Sequence, residues 1–463
     1  MLAWAQLLIL PLDVSNTAGE GGELRIDVLW QIIYMLVFLF IVVFFPTAMF
    51  FYESDDTESC WRRLCWTFKH MICLFVVVGL VLGIMFALLA YASIPVRAFV
   101  CPVPAAFLPS DSPSMTSICT TSDVSLEVPV SFPIYVMAMM SWVGWWLLVI
   151  YGGIGLSAIP MDLINKYRFR PNPLTPSELA AKKSSLKRRA KELLQDGQTL
   201  KDGKLTVEAE TSWFKRRSQK NQQRREENRL RAEVLLLERD FAVYREEEQI
   251  SKVNPLLYPF YCFLGVILLI VTVVWLLHIL LFLMIRDEYG VPASAFLNEI
   301  LVGLQQPGAS WVCTAVYVLL TVYLLWACIK GNLKFGLRFF CCFQAHPMIK
   351  DETPMHSMMF NVSLILICSV SVTLFAVKAF SLYTRLTDIS NMFGVQVQYL
   401  EFFKYFYENQ VFEIMLFCWT LVVAIYLACF KCRDAPRKPP SADVELEFKK
   451  EKLQIESRAD NKV

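Results

Sequence analysis

Tyr258–Ile285 reads YPFYCFLGVILLIVTVVWLLHILLFLMI, 28 residues without one Asp, Glu, Lys or Arg. At 1.5 Å rise per residue, a helix of about 20 residues covers a hydrocarbon core of about 30 Å. Buried helices of water-soluble domains seldom run so long without charge, so this stretch predicts a membrane span. Six more runs stand beside it: Val28–Tyr52, Met71–Ala92, Phe132–Ala158, Trp311–Ile329, Phe360–Tyr383 and Phe412–Phe430. The predicted fold class is all-α: a polytopic transmembrane helix bundle of seven full spans. Leu2–Leu12 adds a short apolar helix. It is too short to span and lacks a basic flank, which leaves a re-entrant or interfacial piece, or the tail of a helix.

Composition agrees. Of 463 residues 56% are hydrophobic and 19% charged, against roughly 45–50% apolar and about 25% charged in soluble domains. A formal net charge of +2 argues against a nucleic-acid binder. Sidedness follows from Lys and Arg. Segments 53–70, 165–254, 330–359 and 431–463 hold 38 of them, and segments 1–27, 93–131, 286–310 and 384–411 hold 5. The first set, with the C-terminus, is expected in the cytosol. Domains then read as 1–164 (three spans and an outer loop, 93–131), 165–254 (basic cytosolic insert), 255–430 (four spans) and 431–463 (disordered tail).

In the insert, Thr175-Pro176-Ser177-Glu178 has the pattern of a capping box with Pro at the first helical position. Leu179, Leu186, Ala190 and Leu193 share a face of the helix it starts, and Gly197 and Gly203 are expected to end it. A second helix carries Leu230, Val234, Leu237, Phe241 and Tyr244, a coiled-coil seam of about two heptads. The pair predicts a helical hairpin, either packed on itself or binding a partner. Lys187-Arg188-Arg189 and Lys215-Arg216-Arg217 can meet anionic lipid or merely set topology.

No catalytic constellation is present. Gly331–Gly336 lacks the Lys-Ser/Thr of a phosphate loop, and His70, His278, His346 and His356 lie apart from other metal ligands. The expectation is no enzyme, no cofactor and no metal. Cys101 and Cys119 share the oxidising side and are expected to form a disulfide. Cys60, Cys65, Cys341, Cys342, Cys429 and Cys432 sit at cytosolic helix ends, open to palmitoylation or simply apolar. Polar residues inside spans are functional candidates: His278, Asn361, Lys378 and Glu413. Lys378 and Glu413 fall at the same outer level, where an ion pair competes with snorkelling. Asn361-Val362-Ser363 is a sequon inside a span and is not expected to be glycosylated. Gly79-x-x-x-Gly83 and Gly152-Gly153-x-Gly155 suit close helix contact, the favoured reading, or backbone flexibility.

Several stretches resemble the limb-region / lipocalin-interacting membrane receptor (LIMR) family, which includes the lysosomal cobalamin transport escort protein. They are Leu10-Pro11-Leu12-Asp13-Val14-Ser15-Asn16, Pro46–Glu53, Gly152–Gly155 with Pro160, Trp275 with His278-Ile279, and Phe296-Leu297-Asn298-Glu299. His346-Pro347-Met348, Phe360-Asn361-Val362, Lys404-Tyr405 and Val411-Phe412 complete the set. The resemblance implies nine spans with the N-terminus outside and the C-terminus inside, the Leu-Pro-x-Asp-Val motif at the outer end of the second of them, so that this chain is expected to lack one full helix and most of another. It also implies a multi-pass receptor or transport escort acting in ligand uptake, endocytosis or trafficking. The partners so implied are the lipid bilayer, a lipocalin-like or small hydrophobic ligand, and a membrane transporter or trafficking protein. The membrane is expected to be plasma or endolysosomal. The alternative is a transporter of a small molecule, ion or lipid through the bundle.

Overall fold

A computed structural model describes residues 2–17, 25–54, 59–100, 120–170, 173–208, 213–286, 291–305, 310–335, 337–339, 343–345 and 353–429. They divide into two compact units, one drawn from Met1–Met161 and Val266–Ala428, the other built on Asp162–Gly265. Both membrane blocks read from the sequence thus contribute to one bundle. Cys101, Cys119, Cys341, Cys342, Cys432, the His346-Pro347-Met348 motif and the tail lie outside the described residues, as do the side chains of Lys215-Arg216-Arg217.

The chain opens with α1 (Leu2–Thr17). Among the described residues, seven helices are long and apolar enough to cross a membrane: α2 (Ile26–Glu53), α3 (Cys60–Leu89), α4 (Phe132–Arg168), α7 (Leu257–Met284), α9 (Trp311–Phe335), α10 (Met355–Ala379) and α13 (Val411–Cys429). Between them lie α5 (Pro176–Glu208), α6 (Trp213–Lys252), α8 (Phe296–Leu304), α11 (Asp388–Asn391) and α12 (Lys404–Glu408).

α10 is the axis of the bundle. Seventy-two per cent of its apolar window is buried, against 67% for α4 and none for α3. Small residues make that depth accessible: Gly144 of α4 lies on Ser371 and the Ile367 carbonyl, and Ser371 Oγ donates to the Ser141 carbonyl at 2.8 Å. α1 packs on α9 and α10, burying Leu7, Leu10 and Val14, while Ser369 Oγ donates to Gln6 Oε1 at 3.0 Å. The short N-terminal helix is therefore part of the core.

Three spans widen into π-turns, at Phe40–Phe44, Leu148–Gly152 and Ile279–Met284. The first precedes Pro46, which has no N–H to close an ordinary turn. The second leaves the Ile150 carbonyl to accept from Trp419 Nε1 at 3.3 Å. Immediately after it, Gly155 abuts Ala327, and Gly331 abuts Tyr151, so closely that a Cβ would collide with backbone. The two glycine motifs thus part company. Gly152–Gly155 is a crossing point of α4 and α9, whereas Gly79 and Gly83 meet nothing within 4 Å. Among the described residues the expected close contact at Gly79-x-x-x-Gly83 is not made, because α3 lies at the rim.

Segment 93–131, read as a loop, contains an antiparallel ribbon. β1 (Tyr91–Val100) pairs with β2 (Thr120–Pro129), from Tyr91↔Pro129 to Val100↔Thr120. Two further three-residue strands, β3 (Leu337–Phe339) and β4 (Phe343–Ala345), pair with each other.

In the second unit, Thr175 N donates to Glu178 Oε2 at 2.9 Å and Glu178 N to Thr175 Oγ1 at 3.4 Å. The Thr175 backbone N–H, and after it the Thr175 side chain, hold the Glu178 carboxyl below its ordinary range. α5 then runs through Gly197 and Gly203 instead of stopping there. A helical Gly costs about 1 kcal/mol, which pairing with α6 offsets: Gly197 faces Leu230, at 3.7 Å from its Cβ position. The helices are antiparallel, as Lys182–Glu247 (2.7 Å) and Arg189–Asp240 (3.1 Å) show.

Candidate functional site

α10 ends at Ala379, and a helix end leaves its last carbonyls without internal partners. Here they are met by side chains from other elements. His278 Nε2 donates to the Ala379 carbonyl at 2.8 Å and Asn298 Nδ2 donates to the same oxygen at 3.0 Å. Thr384 Oγ1 donates to the Val377 and Phe380 carbonyls at 3.0 and 3.1 Å. His278 and Asn298 are both fully buried. The imidazole is sandwiched between Phe282 and Phe380, with ring centroids 5.1 and 5.4 Å away, and Phe296 stands edge-on at 5.6 Å. An imidazole that donates through Nε2 and is walled by three rings is a helix cap; the π-turn that follows it keeps Phe282 stacked on it.

One residue earlier, Lys378 Nζ lies 2.6 Å from Glu413 Oε1 at the start of α13. It also points at the Tyr407 carbonyl (3.5 Å), whose ring it overlies at 5.8 Å. The Tyr407 hydroxyl is 3.2 Å from Ser141 Oγ of α4, and burial raises its pKa. The structure thus brings Lys378, Glu413 and His278 to one end of α10. Asn361 stays apart. Its Nδ2 donates to the Ser357 carbonyl at 2.8 Å, and its own carbonyl accepts from Asn332 Nδ2 at 3.3 Å. Seventeen residues separate it from Lys378, about 26 Å of helix.

A third anchor was not foreseen. Asp13, at the end of the apolar N-terminal stretch, is fully buried. Its carboxylate accepts from Trp30 Nε1 at 2.8 Å, and from the backbone N–H groups of Asp388 and Ile389 at 3.0 Å each. It therefore fastens α1 and α2 to the loop between α10 and α13. The signal was available: Asp13 is the one acidic residue among the first 19. Trp30 lies 17 residues on, but the other two partners, Asp388 and Ile389, are some 375 residues away and were not legible. Beside it, burial and then the Asp13 and Asp27 carboxylates raise the pKa of Asp388.

The same loop docks the ribbon. Ser93 N donates to the Tyr399 carbonyl at 2.9 Å and Glu401 N to the Tyr91 carbonyl at 3.0 Å. At the ribbon base an open cavity of about 290 Å³ is lined by Ser93, Asp123, Ser125, Lys404 and Glu408. Glu401, 3.1 Å from Lys404 Nζ, holds that ammonium above its ordinary pKa. The other ribbon face carries Ile94, Val96, Val124 and Leu126, the last two about half exposed. Among the described residues no three His, Cys, Asp or Glu side chains converge as metal ligands. The arrangement can present a surface of mixed polarity on a stiffened bundle end.

Comparison with known proteins covers nearly the whole chain. A family model described as LMBR1-like membrane protein matches residues 1–237. A LIMR family protein of Dictyostelium discoideum is 30% identical over 94% of this chain and 90% of its own length. LIMR family proteins of Oryza sativa subsp. japonica and Arabidopsis thaliana are each 30% identical, over 95% and 96% of this chain and 88% and 90% of theirs. No solved structure matches.

Proposed function

The chain belongs to the LIMR family of integral membrane proteins, and from that premise we propose that it is a non-catalytic receptor or transport escort. One observation carries this reading: the polar groups a transporter would place along a path are spent on helix ends. His278 caps α10, Lys378 neutralises Glu413, and Asp13 ties the loop to the bundle. Buried ionisable residues mark pathways when they face water; here they face backbone groups, the Trp30 indole and each other. The ligand-facing surface is the ribbon with the cavity at its base. A protein ligand would bury about 800 Å² per partner, which favours a footprint shared by the ribbon and the loop that docks it. The excess of Lys and Arg on the insert side supports an insert and a C-terminus that face the cytosol; a plasma or endolysosomal membrane is the setting such a receptor or escort needs.

The test is affinity purification of the full chain in a mild detergent, paired with a chain carrying Asp123→Lys and Lys404→Glu. A stoichiometric protein or lipid recovered with the first and lost with the second supports the reading. Recovery of none overturns it. Solute flux through vesicles containing the purified protein alone, abolished by His278→Ala in a folded chain, would establish the transporter instead.

A further inference from the structure

The α5–α6 hairpin leaves its apolar seam open. Leu186 and Ala190 of α5 and Leu237, Phe241 and Tyr244 of α6 line a groove of about 520 Å³, with Lys183, Lys187 and Glu238 on its rim. Of the large side chains only Tyr244 is buried; Phe241 is 50% exposed, and Val234 (37%) and Leu194 (65%) prolong the strip. Two helices can cover only one side of such a stripe each, and a third is the ordinary way to close it. Lys182 and Arg189 are matched across the hairpin by Glu247 and Asp240. No ion pair is seen for Lys183 or Lys187 among the described residues.

We propose that this groove is the docking site of the chain's own C-terminal segment Asp443–Glu456, seated as a third helix with its acidic first turn on Lys183 and Lys187. The segment reads DVELEFKKEKLQIE. Val444, Phe448 and Ile455 recur at four and seven, one face of a helix. Asp443, Glu445 and Glu447 precede the first basic residue, and Lys449 and Lys452 follow, in reach of Glu238 on the opposite rim. The charge order of the segment therefore complements both rims at once. Four spans separate insert from tail, so both leave the bundle on the same side. The 13 residues between Cys429 and Asp443 extend to about 45 Å, whereas the groove begins only about 10 Å along α5. The tail thereby becomes a tethered ligand, at the high effective concentration a short linker supplies. A cytosolic partner with the same acidic, apolar-striped helix would have to displace it. This inference is independent of the receptor or escort reading.

The experiment uses the full chain in nanodiscs with p-benzoylphenylalanine at position 448, photolysis, and mass spectrometry of the joined peptides. The expected result is joining within one molecule to peptides holding Leu186–Ala190 and Leu237–Tyr244. Lys183→Glu with Lys187→Glu should lower the yield at least fivefold, and adding Glu445→Lys with Glu447→Lys should restore it. Both lysines are exposed, so the hairpin should fold unchanged; the tail substitutions alone, which cannot unfold it, should lower the yield equally. Joining chiefly to a second copy (read from mixed isotope labels), to lipid, to another segment or to nothing overturns the proposal. So does a yield indifferent to charge reversal.

Discussion

Removing either partner of the Lys378–Glu413 pair should destabilise the bundle unequally, and the structure says in which order. At 2.6 Å and an effective dielectric of about 20, the attraction is about 6 kcal/mol. Desolvation of each ion costs several kcal/mol, so the intact pair contributes little net. The side chains differ in their escape. Lys378 is 12% exposed, one residue from the helix end, and its stem can carry the ammonium to water. Glu413 is fully buried, and its Oε2 has no hydrogen-bond partner. Lys378→Met therefore strands a carboxylate and should cost about 3–5 kcal/mol. Glu413→Leu frees a lysine that can snorkel and should cost about 1–2 kcal/mol. The double variant replaces the pair by apolar side chains and should lie within about 1 kcal/mol of the parent. Reversible unfolding in mixed micelles, followed by tryptophan fluorescence, measures all four corners of the cycle. Equal single losses, or losses that add within about 0.5 kcal/mol, would refute this account of the pair.

Asp13→Ala should cost about 3 kcal/mol, because three donors lose a charged acceptor; amide exchange at Asp388 and Ile389 should accelerate, and unchanged protection there would contradict the anchor. Gly155→Ala should prevent α4 from meeting α9, whereas Gly79→Ala should leave stability unchanged or raise it by up to about 1 kcal/mol, both read by the same unfolding assay. The raised pKa of Asp388 means that the native state holds this proton more tightly than the unfolded chain does, so ionisation opposes folding as pH rises through and above the carboxylate range. Asp388→Asn should accordingly raise Tm at pH 7 and barely move it at pH 3; equal shifts at both would exclude the effect. The β1–β2 ladder ends at Val100↔Thr120, the residues next to Cys101 and Cys119 in the chain, and non-reducing peptide mapping should find those two cysteines bonded to each other; free thiols on both would refute it.

The spans were legible from sequence because each is a local property: some 20 apolar residues can satisfy their backbone in lipid only as a helix. The capping box was legible for the same reason, since Thr175 and Glu178 need only each other. Lys378 and Glu413 could be matched because a short return loop puts both at one boundary. The ribbon carried a signal too. Val124, Leu126 and Val128 alternate with Asp123, Ser125 and Glu127, yet an isolated two-stranded ribbon is marginal, and its support is the loop at Tyr399–Glu401, far along the chain.

What tertiary structure alone decided is where the polar groups are spent. Nothing local distinguishes a histidine that lines a path from one that caps a neighbour; His278 became a cap because α10 happens to end beside it. Asp13 has no charged partner to suggest its role; besides the Trp30 indole, its donors are backbone N–H groups that every sequence possesses. Gly79 and Gly155 look alike in the sequence and differ only in whether another helix arrives. Gly197 fails as a stop because α6 supplies a contact, Leu230, that helps outweigh its cost. Sequence determined which segments enter the membrane and on which side their charges gather, through the free energy of transferring residues one at a time. The fold determined which of those residues meet, because meeting depends on packing between segments hundreds of residues apart.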